Sequence, residues 1–279
     1  MGIIRRAGCV WLQQTHNYRR ITHRVRTGEN LPQIVFLHVP KTGGTTIQRH
    51  FSKHVGSCQS GKIARFDSIF SEPEKADIEK ARRARYVGGH IDWKAYSRFR
   101  TRETFAFTIL REPFARLVST YLYLTNNAPK GVDSSLYGHL GYMPIEDFLR
   151  SDDPVIIAWT DNVLVRQFGG SFLDSSVDVT VAEESIANLR SLSYVGFQHR
   201  LEEDFQTVTA RCGVGTPSTF ERANVTPPDS RKTEVLERMN GDLAELVDRR
   251  IGLDEVVYKE IIAYRNQADQ QSMKAIYGG

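Results

Sequence analysis

Cysteine is scarce in this chain, and long apolar runs are missing. Among its 279 residues the cysteines are Cys9, Cys58 and Cys212, an odd count with no C-x-x-C spacing. This argues against a disulfide framework and against a zinc ribbon, and the three read as ordinary thiols. No stretch approaches the ~20 apolar residues that a membrane span requires, and Ala7 to Leu12 is too short for the apolar region of a signal peptide. The expectation is a chain with no integral membrane segment. A myristoylation signal is also lacking, since its Ser/Thr position holds Arg6. Internal repeats and low-complexity stretches are absent. What is present is 40% hydrophobic and 10% aromatic residues, a folded globular composition. At this length the core needs neither a metal nor a disulfide to hold it.

Charge of one sign is not in large excess either. The formal balance is +4, but residues 1–30 carry +5 and residues 82–102 carry +6, which leaves −7 on the rest. We treat 1–30 as a basic N-terminal extension and 31–279 as a single domain. An import role for the extension is open beside the simpler reading of a solvated arm.

Gln33 to Val39 is a continuous apolar run of the kind found in a parallel sheet covered on both faces. It leads into Pro40-Lys41-Thr42-Gly43-Gly44-Thr45-Thr46, and Ile47 to His54 continues as helix. Arg85 to Gly89 reads as a second strand ending at His90. A third, Thr104 to Leu110, ends at Arg111-Glu112-Pro113, with Pro113 suited to open a helix. In that helix Phe114, Leu117, Val118, Tyr121 and Leu122 form an apolar stripe, with Arg116 and Ser119 off it. Beyond a loop from about Asn126 to Tyr142, helices are expected at Pro154–Phe168, Val181–Leu192 and from Leu201, with a strand at Tyr194–Phe197. A turn-rich segment, Cys212 to Ser230, precedes two final helices, with stripes Val235–Val247 and Leu253–Tyr264. The fold class is α/β, a parallel sheet flanked by helices with a largely helical C-terminal half.

A glycine-rich loop between a buried strand and a helix suits an anionic phosphate or sulfate. Gly43 and Gly44 leave backbone N–H groups accessible, the helix start adds partial positive charge, Lys41 adds a full charge, and Thr45 and Thr46 add hydroxyl donors. The bland alternative is a tight turn with a capped helix. The nucleotide-triphosphatase loop places its Lys after the glycines, whereas Lys41 precedes both, and no strand ending in Asp offers a second metal ligand. A metal-dependent phosphoryl transferase is the weaker reading.

Two segments carry a family resemblance. Phe36 to Thr46 resembles the 5′-phosphosulfate loop of sulfotransferases that use 3′-phosphoadenosine 5′-phosphosulfate (PAPS). Thr108 to Ser119 resembles their 3′-phosphate motif. The likeness is closest to the carbohydrate branch with the heparan sulfate 2-O- and 6-O-sulfotransferases, and Gly89-His90-Ile91-Asp92-Trp93 is similar to the histidine segment of the 6-O enzymes. Asp161–Arg166, Tyr194–Phe197 and Asn224–Pro227 resemble further segments, so the likeness runs over about residues 33–265. It implies a P-loop-NTPase-like sheet. It also implies that Lys41, Thr42, Gly43, Gly44, Thr45 and Thr46 grip the phosphosulfate and that Arg111 and Ser119 grip the 3′-phosphate, with no metal.

The chemistry of the residues agrees with those roles. Arg111 falls at the carboxyl edge of a strand, where ligands of parallel sheets bind, and its planar fork matches a phosphate. The alternative for Arg111 is a surface pair with Glu112. His90 has the basicity to take a proton from a hydroxyl nucleophile; the alternative is a structural histidine at a strand end. His38 reads as structural. Trp93 packs either a sugar ring or the core. Arg98 and Arg100 either meet an anionic acceptor or form a solvated basic face.

The expected function is transfer of a sulfuryl group from PAPS to a hydroxyl acceptor, a glycan by the resemblance, with His90 as base and Lys41 stabilising charge. Competing readings are a P-loop-type kinase and a non-catalytic binder of anionic glycans. Single scattered arginines without an aromatic-rich motif argue against a nucleic-acid partner. Family members in the Golgi carry an anchor and disulfides, which this sequence does not show, so the expected compartment is the cytoplasm, with the Golgi lumen as the alternative.

Overall fold

The computed structural model describes residues 32–56, 63–66, 72–127, 140–141, 143–215 and 231–277. Expectations for the basic extension, Cys9, Cys58, Asn224–Pro227 and most of the two long loops lie outside the described residues.

A five-stranded sheet, wholly parallel, organises the chain in the order β2-β3-β1-β4-β5. Its strands are β1 (Ile34–Leu37), β2 (Ile63–Phe66), β3 (Tyr86–Gly89), β4 (Phe105–Leu110) and β5 (Tyr194–Phe197). The period of two is plain in β1. Ile34 and Phe36 enter a core with Phe51, Tyr86, Phe107 and Phe205 on one face, while Val35 and Leu37 enter another with Val87, Leu110, Phe168 and Ile261. Both faces are covered, by α1 (Gly44–Gly56) and α9 (Leu201–Cys212) on the first and by α2 (Lys75–Arg83), α7 (Val163–Gly169) and α8 (Val179–Arg190) on the second. This is the expected α/β class, and it explains why the strands read as continuous apolar runs.

A separate cluster of buried residues joins α4 (Pro113–Asn127), α5 (Ile145–Arg150), α6 (Pro154–Thr160), α10 (Arg231–Asn240) and the start of α11 (Ala244–Tyr277). Leu117, Tyr121, Phe148, Met239 and Ile251 belong to it. From β1 the chain runs to β2 and β3 on one side, then crosses to β4 on the other. The crossing puts the reversal of strand order at the carboxyl ends of β1, β3 and β4, the place where open parallel sheets bind ligands.

Several expectations are corrected. The segment Pro154–Phe168 is two helices, α6 and α7, broken at Asp161–Asn162, where Asn162 has φ of 45°. The stripe Val235–Val247 spans two helices separated by a turn at 241–243. The short elements β2, α2 and α3 (Trp93–Ser97) were not read from the sequence at all. Arg116, off the apolar stripe, is nonetheless 0% exposed. Its guanidinium donates to the Trp159 carbonyl at 3.1 Å and to Asp254 at 3.3 Å, and Asp254 also accepts from the N–H groups of Leu164 and Val165 at the start of α7.

Candidate active site at the carboxyl edge of the sheet

The loop after β1 is built by its own side chains. Thr42 is fully buried, and its hydroxyl donates to the Val39 carbonyl at 2.8 Å. That hydroxyl closes the turn, so Thr42 can offer an anion only its backbone. Lys41 and Gly43 lie in the left-handed region, with φ of 67° and 86°, a conformation that is costly for lysine. A Cβ on Gly44 would stand 2.1 Å from the His38 ring. Glycine at 44 is thus required by His38, whatever the loop binds. α1 begins at Gly44, with Thr45 and Thr46 partly exposed in its first turn.

Arg111 follows β4 and reaches this loop, its Nη1 donating to the Lys41 carbonyl at 3.1 Å. Its Nε is buried and has no hydrogen-bond partner. Burial lowers its pKa, nearby Glu112 offsets this in part, and Arg116 adds to the lowering. Glu112 does not pair with it. The Glu112 carboxylate accepts from Phe114 N at 2.9 Å and Ala115 N at 2.6 Å, capping the start of α4. The Lys41 ammonium stands 3.8 Å over the Tyr123 ring, and burial, then the charge of Arg111, push its pKa down to about 8. Among the described residues neither cation forms an ion pair with a carboxylate. Ser119 is buried on α4. With Arg116, Thr120 and Tyr123 it completes an i, i+3, i+4, i+7 face beside the apolar stripe.

His90 leaves the end of β3. Its Nδ1 lies 3.1 Å from the His38 carbonyl, which can only accept, so Nδ1 carries a proton in this contact. The ring stacks on His38 with centroids 4.7 Å apart and meets Trp159 edge-on at 6.1 Å. His38 stacks on Phe36 behind it, and burial first, then the charge of His90, hold it well below the usual imidazole range. That is a neutral, structural histidine. Gln167, fully buried, donates to the Ile91 carbonyl at 3.0 Å and the His38 carbonyl at 3.4 Å, tying the two strand ends together.

Three of these neighbours escaped the sequence reading: Tyr123, Trp159 and Gln167. Tyr123 was accessible, since it continues the Ser119 spacing by one turn. Trp159 and Gln167 were not, because their places depend on the break at Asn162. There Asn162 N donates to Arg250 O at 2.7 Å, while its side-chain oxygen accepts from the N–H groups of Leu253 and Asp254. A loop residue has entered the hydrogen-bond ladder of α11.

The basic segment has other attachments. Lys94 pairs with Glu72 at 2.6 Å, Arg98 donates to the Pro73 carbonyl at 3.2 Å, and Arg100 covers the Trp93 and Tyr96 rings. Trp93 is partly buried against the core in α3. Among the described residues no hydrogen bond or ring contact joins Trp93, Arg98 or Arg100 to Lys41, Arg111 or His90.

Residues 25–154 match the model of the sulfotransferase family, a span that holds the loop, His90, Arg111 and Ser119. A protein-tyrosine sulfotransferase of Arabidopsis thaliana is 28% identical over 88 residues, 32% of this chain and 16% of that protein's length. The chain therefore matches only a small part of that relative. The crystal structure of mouse sulfotransferase SULT7A1 complexed with PAP aligns with a TM-score of 0.43 and 13% identity, covering 82% of this chain and 88% of that one.

Proposed function

We propose that the chain is a sulfotransferase that binds PAPS in the loop after β1 and transfers its sulfuryl group to a hydroxyl. The observation that carries the reading is the pair Lys41 and Arg111. Two cations, both partly desolvated and close enough to repel each other, have no ion-pair partner among the described residues. Such a pair is unfavourable by itself and favourable around an anion. The orphaned Arg111 Nε and the left-handed turn at Lys41 and Gly43 suit a phosphate-bearing ligand.

When bound, PAPS supplies an activated sulfuryl group on a good leaving group. Lys41 and the loop N–H groups then hold negative charge at the phosphosulfate, and Arg111 with Ser119 holds the 3′-phosphate. His90, with its proton fixed on Nδ1 by the His38 carbonyl, takes the acceptor proton at Nε2 as the new S–O bond forms and the old one breaks. The separated product carries the sulfate ester, and 3′-phosphoadenosine 5′-phosphate (PAP) keeps the electron pair of the broken bond.

For the acceptor we propose a carbohydrate hydroxyl, on the likeness of the Gly89–Trp93 segment. The named plant relative points instead to a tyrosine phenol. Transfer of radiolabelled sulfate from PAPS to glycans and to acidic tyrosine peptides separates the two. His90→Ala is expected to keep PAP binding and lose transfer; full residual transfer would remove His90 from the role of base. Label from the γ-phosphate of ATP–Mg²⁺, and none from PAPS, would favour the kinase reading.

A further inference from the structure

We propose, resting on the reading just given, that Trp159 is a second hydrogen-bond donor to the group being transferred: its indole N–H binds a sulfuryl oxygen of PAPS. In-line transfer requires the sulfuryl group to lie between the acceptor hydroxyl, held at His90, and the phosphate, held by Lys41. Trp159 neighbours His90 directly and Lys41 through Tyr123. Its ring is 6.1 Å from that of His90 and 6.0 Å from that of Tyr123, over which Lys41 Nζ stands at 3.8 Å. Its Nε1 is out of contact with water and has no hydrogen-bond partner, a state that a folded chain tolerates poorly unless a ligand completes it.

The position of Trp159 is set from behind. Its carbonyl accepts from Arg116, which is held in turn by Asp254, both fully buried. The break at Asn162, three residues on, ends α6 there. These contacts fix the backbone at 159 without using the indole, so the side chain can be changed while its anchor stays. Lys41 stands over the Tyr123 ring beside Trp159, so the proposal requires these side chains to part when the sulfuryl group enters. A donor aimed where charge builds, in a site that excludes water, stabilises the transition state more than the same donor would in water.

The test compares PAPS with PAP, which differ only by the sulfuryl group. Trp159→Phe keeps a ring and removes the N–H. By calorimetry at low temperature, with no acceptor present, it is expected to lower PAPS affinity about tenfold, the scale of one hydrogen bond to a charged group, and to leave PAP affinity unchanged. Equal affinities of wild type and variant for PAPS would overturn the proposal. A matched fall for both nucleotides would also overturn it, marking Trp159 as a support of the fold. If the variant does not fold, the wild-type Trp159 indole ¹⁵N–¹H resonance decides: PAPS should move it downfield beyond any shift that PAP causes, and equal shifts with the two nucleotides, or none with PAPS, overturn the assignment. Failure of wild type to bind either nucleotide is a different result, and rejects the sulfotransferase reading itself.

Discussion

Arg111 Nη1 holds the carbonyl oxygen of Lys41 at 3.1 Å. A side chain from the end of β4 thereby fixes the backbone of the loop after β1, at the residue whose φ of 67° is least favourable for a lysine. The same contact brings two positive groups together. Their mutual repulsion is unfavourable in the nucleotide-free chain, and on the proposed function a bound anion relieves it.

Lys41→Met is therefore expected to separate stability from binding. The nucleotide-free chain should melt no lower than wild type, because a desolvated like charge has been removed. Affinity for PAP should fall about 10- to 100-fold, the scale of a charge-assisted hydrogen bond. Thermal melts with and without PAP check both halves.

The pH dependence follows from the same lysine. Its pKa is about 8 in the nucleotide-free chain, below the ordinary lysine value of 10.5, and a bound anion favours the ammonium. Binding therefore takes up a proton, and PAP affinity should weaken as pH rises through about 8, by up to roughly tenfold per unit. For the nucleotide-free chain the sign is opposite. The unfolded state holds more protons between pH 8 and 10.5, so this residue adds stability as pH rises across that window. Calorimetry in buffers of different ionisation enthalpy measures the proton uptake.

Asp254→Ala should be among the most damaging single changes away from the loop. It leaves Arg116 buried without its carboxylate and removes the acceptor for two N–H groups of α7, a loss of about 3–5 kcal/mol. Replacing both partners, Arg116→Met with Asp254→Leu, should cost less than Asp254→Ala alone. Denaturant melts of the two proteins decide it.

Gly44→Ala tests the origin of that glycine. The new methyl would meet the His38 ring at 2.1 Å and should destabilise by about 1–3 kcal/mol. If the collision is the cause, His38→Ala relieves part of the loss, and a double-mutant cycle shows coupling between the two. Strict additivity would put the demand for glycine elsewhere.

The sheet was legible because β1 and β4 are buried on both faces and so carry unbroken apolar sequence. β2 was not, since Arg65 stands exposed between buried Ala64 and Phe66 and four residues give too little pattern. α2 buries only Ile78 and Ala81 in a charged run. The loop and Arg111 could be read because each sits next to a strand end, a local feature. The aromatic wall could not, because Trp159 reaches His90 through a helix break that Asn162 makes by bonding to α11, nearly ninety residues away. Arg116 misled for a related reason: its partner, Asp254, lies 138 residues on, and no local periodicity marks a buried ion pair.

The central claim, that Lys41 and Arg111 form a preformed site for an adenosine phosphosulfate, is tested most directly by the melting temperature of the chain with PAP and, separately, with ATP–Mg²⁺. A ligand that binds only the folded state raises that temperature with concentration. The account predicts a saturable rise with PAP that disappears in Arg111→Ala, and a smaller or absent rise with ATP–Mg²⁺. No rise with PAP, together with a clear one for ATP–Mg²⁺, would contradict it.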